Sequence, residues 1–177
     1  MMIVIRAFAS HEWETYKELR LRSLAESPDA FGRTLAEEQI RPDPEWEARL
    51  RAGVHSDTDH PLVAEASDQP VGLAWGRIDP STPEVANLHQ LWVDPSHRSQ
   101  GIGGKLVEEI LSWAKAKEVR CLELGVTYRD SPAMRLYQRY GFTPVGKPRE
   151  FRPGSHLLRL KMRLELNKGS AHRSQPD

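Results

Sequence analysis

The chain of 177 residues, 38% of them hydrophobic, is long enough to bury one sizeable core but not two. Its 25 basic and 25 acidic side chains give a formal net charge of zero, which argues against a protein that binds nucleic acid electrostatically. The single cysteine excludes an intramolecular disulfide framework, and no signal-peptide pattern or membrane-length apolar run is found, so we expect a cytoplasmic protein without membrane partners.

The first third of the chain predicts one strand and two helices. Residues 2–7 form a short apolar run that is typical of a strand. Apolar residues recur at helical spacing over 9–27, where Ser10 is a candidate N-cap. A break with Pro and Gly over 27–32 precedes a second, short helix predicted at 43–53.

The middle of the chain predicts three strands and a long helix. Residues 62–67 and 71–79 have the composition of a hairpin, with turn residues at 68–70. The segment 84–93 follows another turn and predicts a fourth strand. A glycine-rich stretch then opens an amphipathic helix that reaches about Lys117.

The last third predicts a strand at 119–126 and then a short helix at 131–141, which starts with Ser-Pro and ends with Gly. Two closing strands are predicted at 142–146 and 156–165. The final segment, 167–177, has no large apolar residue and is predicted to be disordered.

Strands and helices are mixed along the chain, and no internal repeat is visible. This order predicts an α/β (α+β) protein. We expect a single domain over residues 1–166, followed by the tail at 167–177.

The stretch HRSQGIGGKL joins the fourth predicted strand to a helix and is a candidate phosphate-binding loop. A Walker loop would need a hydroxyl residue where Leu106 stands, and a dinucleotide fingerprint would need a glycine there. The pattern R-x-x-G-x-G is complete, with Arg98, Gly101 and Gly103. Glycines let a ligand approach the backbone, and free N–H groups at a helix start attract an anion. The stretch therefore predicts a pyrophosphate site.

The segments LWVDPSHRSQGIGGKLV and SPAMRLYQRYGF resemble the two signatures of the GCN5-related N-acetyltransferase (GNAT) superfamily. The resemblance is sharpest over residues 84–146. It implies a GNAT-like fold, in which a central mixed sheet of about seven strands is splayed after the fourth strand and flanked by about four helices. It also implies an acetyl-CoA-dependent N-acetyltransferase, in which an amine attacks the cosubstrate directly in a ternary complex.

The resemblance assigns the cofactor contacts residue by residue. The backbone of Leu91, Trp92 and Val93 would pair with the pantetheine arm as a further strand would, and a nearby N–H would polarise the thioester carbonyl. Arg98 opens the phosphate motif, although its side chain could instead bridge to a neighbouring acid. The loop N–H groups that would hold the pyrophosphate belong to Ser99, Gln100, Gly101, Ile102, Gly103, Gly104 and Lys105. Asp130 stands where many members have asparagine, which weakens a cofactor contact at that position.

The resemblance also supplies the candidate catalytic residues. Tyr137 takes the family's tyrosine position, and a phenol with an ordinary pKa near ~10 can protonate the departing thiolate. The alternative for Tyr137 is a core aromatic residue. The family's glutamate position is Asn87, which cannot act as a base. His89 lies two residues further on the same strand face and is the candidate base, with an ordered chain of water as the alternative. Cys121 is predicted as a small core residue.

The acceptor is left open by the sequence. The acidic residues of segment 37–47 would favour a cationic amine if they lined the site, and the alternative is a solvated helix face. A pocket walled by residues 28–50 would favour an N-acetyltransferase for a primary amine of a small molecule. An exposed trough would favour a protein lysine or N-terminal acetyltransferase. A non-catalytic acyl-CoA-binding module is the third alternative.

Further partners follow from pattern and resemblance. No histidines have metal-ligand spacing, so we expect no metal. A homodimer is expected from the resemblance alone, and no nucleic acid is expected as a partner.

Overall fold

The computed structural model describes residues 1–166, so the tail predicted for 167–177 lies outside the described residues. The strands are β1 (Ile3–Ala7), β2 (Asp59–Ala66), β3 (Gln69–Ile78), β4 (Val85–Val93), β5 (Cys121–Thr127), β6 (Thr143–Glu150) and β7 (Leu158–Glu165). The α-helices are α1 (Trp13–Glu26), α2 (Leu35–Gln39), α3 (Asp43–His55), α4 (Ile102–Ala116) and α5 (Pro132–Arg139), and a 3₁₀ turn spans Pro95–His97. All seven strands form one mixed sheet in the order β1-β2-β3-β4-β5-β7-β6.

The sheet opens between β4 and β5, which run parallel. These strands pair only where Val85–Asn87 lies against Cys121–Glu123. Beyond that point β4 continues to Val93 without pairing with β5, whereas β5 stays paired with β7 as far as Thr127. The splay predicted after the fourth strand is therefore confirmed. It leaves a gap between the carboxyl ends of β4 and β5.

Helices cover both faces of the sheet, and each face has its own hydrophobic core, whereas the chain length predicted a single core. On one face, which we call the α4 face, α4 and α5 pack over buried residues that include Leu106, Ile110, Leu122, Leu124, Met134 and Met162. On the opposite face, the α1 face, α1 and α3 pack over residues that include Tyr16, Leu19, Trp46, Leu50, Leu73 and Trp75. Because side chains alternate along a strand, each strand contributes successive residues to the two faces.

The four predicted helices correspond to α1, α3, α4 and α5, and the structure adds α2. Five residues are too few to show a helical periodicity, so the sequence pattern did not indicate α2. A capping box supports this helix instead: the Thr34 hydroxyl accepts the Glu37 N–H, and the Glu37 carboxylate accepts the Thr34 N–H.

The start of α1 differs from the prediction. The expected N-cap Ser10 is wrong, because α1 begins at Trp13 and its N-cap position is Glu12. The Glu12 carboxylate pairs with Arg6 of β1 at 2.7 Å and accepts the Ala9 N–H at 2.7 Å. These contacts hold the chain in a non-helical turn as far as residue 12.

The segment 27–33, which we call the α1–α2 segment, crosses the sheet on the α1 face. Arg152, in the connection between β6 and β7, donates to the carbonyl oxygens of Phe31 at 2.7 Å and Gly32 at 3.1 Å. The Thr127 hydroxyl, at the end of β5, donates to the carbonyl oxygen of Asp29. These contacts fasten the α1–α2 segment to the β5–β7–β6 side of the gap.

We expect Gly76→Ala to lower the free energy of unfolding by about 1–3 kcal/mol, because the added methyl group would overpack the contact between β3 and α4. A Cβ at Gly76 would lie 2.7 Å from the ring of Trp113 and 3.1 Å from Ile110. The measurement is urea unfolding of both single variants and of the double variant with Trp113→Leu. Gly76→Ala should cost less in the Trp113→Leu background, where the space is free. An equal cost in both backgrounds would contradict this account.

Candidate functional site

A cavity of about 1600 Å³ occupies the gap between β4 and β5. Its walls come from the carboxyl ends of these strands, the loop before α4, the start of α5, the α1–α2 segment and β7. It therefore passes from the α4 face to the α1 face. Pockets for single drug-sized ligands measure about 300–1,000 Å³, so the cavity has room for two molecules that meet in the gap.

The loop before α4 forms the end of the cavity on the α4 face. Ser99 and Gly101 both have a positive φ, of 63° and 80°, which turns the chain sharply into α4. No side chain caps this helix, and its first intrahelical bond runs from Lys105 N–H to the Gly101 carbonyl at 3.0 Å. The three N–H groups at the start of α4, on Ile102, Gly103 and Gly104, thus have no intrahelical acceptor, and all three residues line the cavity. This geometry fits a pyrophosphate.

The cavity brings together most of the predicted cofactor residues. Those that line it are Leu91, Trp92, Val93, Arg98, Ser99, Gly101, Ile102, Gly103, Gly104 and Tyr137. Gln100, Lys105 and Asp130 are exposed outside the lining. The Asp130 carboxylate pairs with Arg135 at 2.9 Å instead. The Asp130 side chain therefore pairs with a residue of α5, the helix that follows it.

Arg98 lies in the candidate phosphate-binding loop, residues 97–106, which we call the phosphate loop. Its side chain connects this loop to the end of α1. Its Nε donates to the Val93 carbonyl at 2.9 Å, and its Nη2 donates to the Glu26 carboxylate at 2.8 Å. The same carboxylate accepts the Trp92 indole N–H at 2.9 Å. Partial burial alone would raise the pKa of Glu26, but the hydrogen bonds from Arg98, Ser27 and Trp92 outweigh burial and lower it. The Arg98 guanidinium thus bridges to an acid, the second of its two predicted roles.

Tyr137 combines both of its predicted settings. Its ring belongs to the core of the α4 face and meets Phe142 edge-on, with centroids 5.9 Å apart. The residue also lines the cavity. Burial raises the pKa of its phenol, so the hydroxyl carries its proton at neutral pH.

His89 lies on the α1 face of β4, at the narrow part of the gap. Its side chain is exposed to the cavity, yet the cavity walls desolvate it. Desolvation and the nearby guanidinium groups of Arg159, Arg77 and Arg20 lower the pKa of His89. The imidazole is therefore neutral at pH 7 and can accept a proton.

A β-bulge after His89 is a feature that the sequence analysis missed. Gln90 has a φ of 60°, and the pairing register with β3 shifts between Leu73 and Trp75. The Gln90 amide oxygen accepts the Tyr16 hydroxyl at 2.9 Å from the core of the α1 face. The bulge leaves Gln90 and Leu91 outside the ladder register, at the rim of the cavity. A positive φ at a glutamine has no sequence signature, so only the structure could reveal it.

The acidic residues of segment 37–47 do not form a free acidic rim. Glu38 is 1% exposed and pairs with Arg41 at 3.3 Å and Arg49 at 3.2 Å. Among the others, Asp43 pairs with Lys17 and Glu47 pairs with Arg51. Four of the five acids are paired locally and Glu37 has no basic partner within residues 1–166, so the segment does not by itself favour a cationic acceptor.

Three further observations concern the remaining predictions. Cys121 is buried in β5, and burial raises the pKa of its thiol. Within residues 1–166, no group of three or more His, Cys, Asp or Glu side chains is placed to hold a metal ion. None of the helices in that same range has the length and apolar character needed to cross a bilayer.

Comparison with known proteins agrees with this geometry. Residues 10–142 match the profile of the Acetyltransferase (GNAT) family. The mycothiol acetyltransferase of Beutenbergia cavernae is 31% identical over 145 residues, which are 80% of this chain and 45% of that protein. The N-alpha-acetyltransferase RimI of Mycobacterium tuberculosis is 30% identical over 110 residues, which are 62% of this chain and 68% of that protein. The chain thus spans less than half the length of the first of these relatives.

The fold has counterparts among solved structures. The structure of yncA from Salmonella typhimurium with its cofactor acetyl-CoA has a TM-score of 0.78 to this chain at 20% sequence identity. The alignment covers 100% of this chain and 99% of that chain. This likeness confirms the fold that the sequence resemblance implied.

We expect Glu26→Gln to loosen the phosphate loop, because the neutral amide cannot keep the charge-assisted bonds from Arg98. Amide hydrogen exchange of residues 95–104 should become about tenfold faster at pH 7. Since the pKa of Glu26 is lowered in the folded protein, its stabilising contribution is present above its ordinary pKa and is lost as pH falls through the lowered value. Glu14→Gln, at an exposed position in the same helix, is the control. Equal exchange rates in both variants would contradict the role of Glu26.

Proposed function

The chain belongs to the acetyltransferase (GNAT) family, and on this basis we propose that it is an acetyl-CoA-dependent N-acetyltransferase for a primary amine of a small molecule. One observation carries the proposal. A single cavity joins the N–H groups at the start of α4 to Tyr137 and His89 in the gap between β4 and β5. The cavity therefore offers an anion site, a proton donor (Tyr137) and a proton acceptor (His89) to the two ligands that would meet in the gap.

The residues present fit acetyl-CoA. When bound, acetyl-CoA supplies the acetyl group as a thioester, and in the overall reaction a C–N bond replaces the C–S bond while one proton passes from nitrogen to sulfur. The N–H groups of Ile102, Gly103 and Gly104 would hold the pyrophosphate. The backbone of Leu91 to Val93 would pair with the amide groups of the pantetheine arm, since β5 has moved away from this edge of β4.

Tyr137 is the proposed general acid. Its buried phenol keeps its proton at neutral pH because burial raises its pKa. Burial is the one cause of its raised pKa, and no hydrogen bond from residues 1–166 contributes to it, so the proton is not committed to another protein group. The phenol would donate this proton to the thiolate sulfur as the C–S bond breaks.

His89 is the proposed route for the amine proton, either by direct contact or through water. Its lowered pKa keeps Nδ1 or Nε2 free to accept a proton at pH 7. The same arginines that surround His89 also disfavour a positive charge on a bound amine. An alkylammonium with an ordinary pKa of ~10.4 therefore loses its proton more easily in this part of the cavity.

The wall of the cavity supports a small acceptor. Pro28 to Arg33 and two side chains of α2, together with Arg49 of α3, close the α1-face side, and Arg152 and Thr127 fasten this wall. A walled pocket suits a small molecule better than a protein chain. The similarity to RimI favours the second candidate, which is acetylation of a protein N-terminus. A homodimer stays a prediction.

We expect Tyr137→Phe to lower kcat at least tenfold, because general acid catalysis contributes about 10²–10⁴-fold where it operates. The measurement is thiol release from acetyl-CoA with a panel of amines, polyamines, amino acids and lysine or N-terminal peptides. Acetyl-CoA affinity, measured by calorimetry, should stay within about threefold, because the phosphate loop is untouched. Tyr128→Phe, at a tyrosine that is 54% exposed and outside the cavity, is the control. Equal kcat in both variants would contradict the acid role.

We expect kcat to fall on the acid side of a midpoint below pH 6.5, because His89 must be neutral to accept a proton and its pKa is lowered. The measurement is a pH profile of kcat at saturating acceptor. His89→Gln should lower the plateau and remove this limb. An unchanged limb in His89→Gln would assign it to another group and leave proton removal to water.

A further inference from the structure

Arg20 is a buried cation with unused hydrogen-bonding capacity. It lies on α1, is 4% exposed, and its guanidinium carbon sits 4.7 Å from the centre of the Phe31 ring. Within residues 1–166 its one side-chain hydrogen bond is a long 3.5 Å donation to the Ser23 hydroxyl, and its Nε has no partner there. Burying a charge without an opposite charge or full hydrogen bonding costs free energy. Since Arg20 lines the cavity, a ligand can supply the missing acceptor.

Arg159 is a second arginine of the cavity without an acidic partner in residues 1–166. It lies on β7, and its side chain crosses β5 above Gly125, where a Cβ would overlap the guanidinium. Because β5 separates β7 from β4, this path carries the guanidinium toward the gap and His89. Its Nη1 lies 3.5 Å from the position that a Cβ on Gly32 would take. The charge is thus held beside the α1–α2 segment.

Among residues 1–166, one acid of this half of the cavity lacks a basic partner. Glu38 pairs with Arg41 and Arg49, and Asp29 lies 3.9 Å from Arg129, whereas the Glu37 carboxylate accepts only the neutral Thr34 N–H at 3.0 Å. Arg20 and Arg159 therefore leave an excess of positive charge on the α1 face. The pyrophosphate site lies at the other end of the cavity, on the α4 face. The excess charge consequently faces the acceptor.

We propose that the acceptor is an amino carboxylate, such as a free amino acid, and that Arg159 and Arg20 bind its carboxylate while its amine faces the gap. The proposal rests on the proposed function and names its substrate class. A planar guanidinium matches the two oxygens of a carboxylate, which can accept paired hydrogen bonds. The same charges repel polyamines and aminoglycosides. A peptide N-terminus lacks a carboxylate next to its amine, so the site discriminates against it.

The first test compares free amino acids with their carboxamides, which keep the amine and lose the charge. We expect kcat/KM to favour the acids by about tenfold to a hundredfold, the range of one or two charge-assisted hydrogen bonds. Arg159→Gln should lower kcat/KM for the acids about tenfold more than for the amides, so that the ratio of the two falls toward one; its effect through His89 is common to both substrates and cancels in that ratio. Arg149→Gln is the matched control, because Arg149 faces Arg159 in the strand ladder, is exposed and does not line the cavity.

Outcomes of this test separate the two proposals. Turnover of amides as fast as acids, or an unchanged preference in Arg159→Gln, would overturn the carboxylate site and leave the acetyltransferase intact. A preference for O-phosphoethanolamine over every amino acid would overturn it in favour of a phosphate-bearing amine. Failure of acetyl-CoA to bind would contradict the proposed function itself. Arg159→Gln should not lower the melting temperature, because it removes a desolvated charge without a partner.

A second test needs no turnover. N-acetylglycine and N-acetylglycinamide are titrated into the ¹⁵N-labelled protein, and the Nε–H signals of arginine are followed, with Arg159 assigned from its loss in Arg159→Gln. A saturable shift of the Arg159 signal with N-acetylglycine and none with the amide supports the site. Equal shifts with both probes, or none with either, overturn it.

Discussion

The divergence of β4 and β5 is the constraint on which the site depends. Two parallel strands that pair over only three residues expose backbone edges in the middle of a sheet, where such groups would ordinarily be paired. Every feature of the site lies around this opening. The phosphate loop ends it on the α4 face, and the bulge at Gln90 and the α1–α2 segment border it on the α1 face. Cofactor and acceptor would approach from opposite faces and meet in the gap.

Long-range polar contacts hold the opening in place. Glu26 joins the end of α1 to the phosphate loop and to Trp92, and Arg152 joins the α1–α2 segment to the β6–β7 connection. The Glu26 contacts hold together elements on the β4 side of the gap, whereas the Arg152 contacts fasten the α1–α2 segment to the β6–β7 side. The two hydrophobic cores hold the helices on the faces of the sheet, and these polar contacts fasten the segments that border the opening.

Local patterns predicted the strands, the long helices and the glycine-rich turn into α4, because each depends on neighbouring residues. The glycine spacing before α4 and the Ser-Pro start of α5 are examples. What the sequence could not show depends on contacts between distant residues. Arg98 meets Glu26 across 72 positions, and Arg20 and Arg159 come to line one cavity only through the fold. The acids of segment 37–47 would favour a cationic acceptor only if they were unpaired. Their basic partners balance most of that charge, and the arginines that line the cavity give it an excess of positive charge.

Because Arg159 crosses over Gly125, the residues that positions 125 and 159 can hold depend on each other. The guanidinium fills the volume that any side chain at position 125 would need, so a larger residue there must first displace the arginine. A shorter residue at position 159, in contrast, would leave space for a side chain at position 125. A side chain at position 125 would therefore turn the flexible guanidinium away from the gap even in a chain that keeps the arginine. A glycine at this position in a related chain therefore indicates that an arginine at position 159 has room to reach the gap.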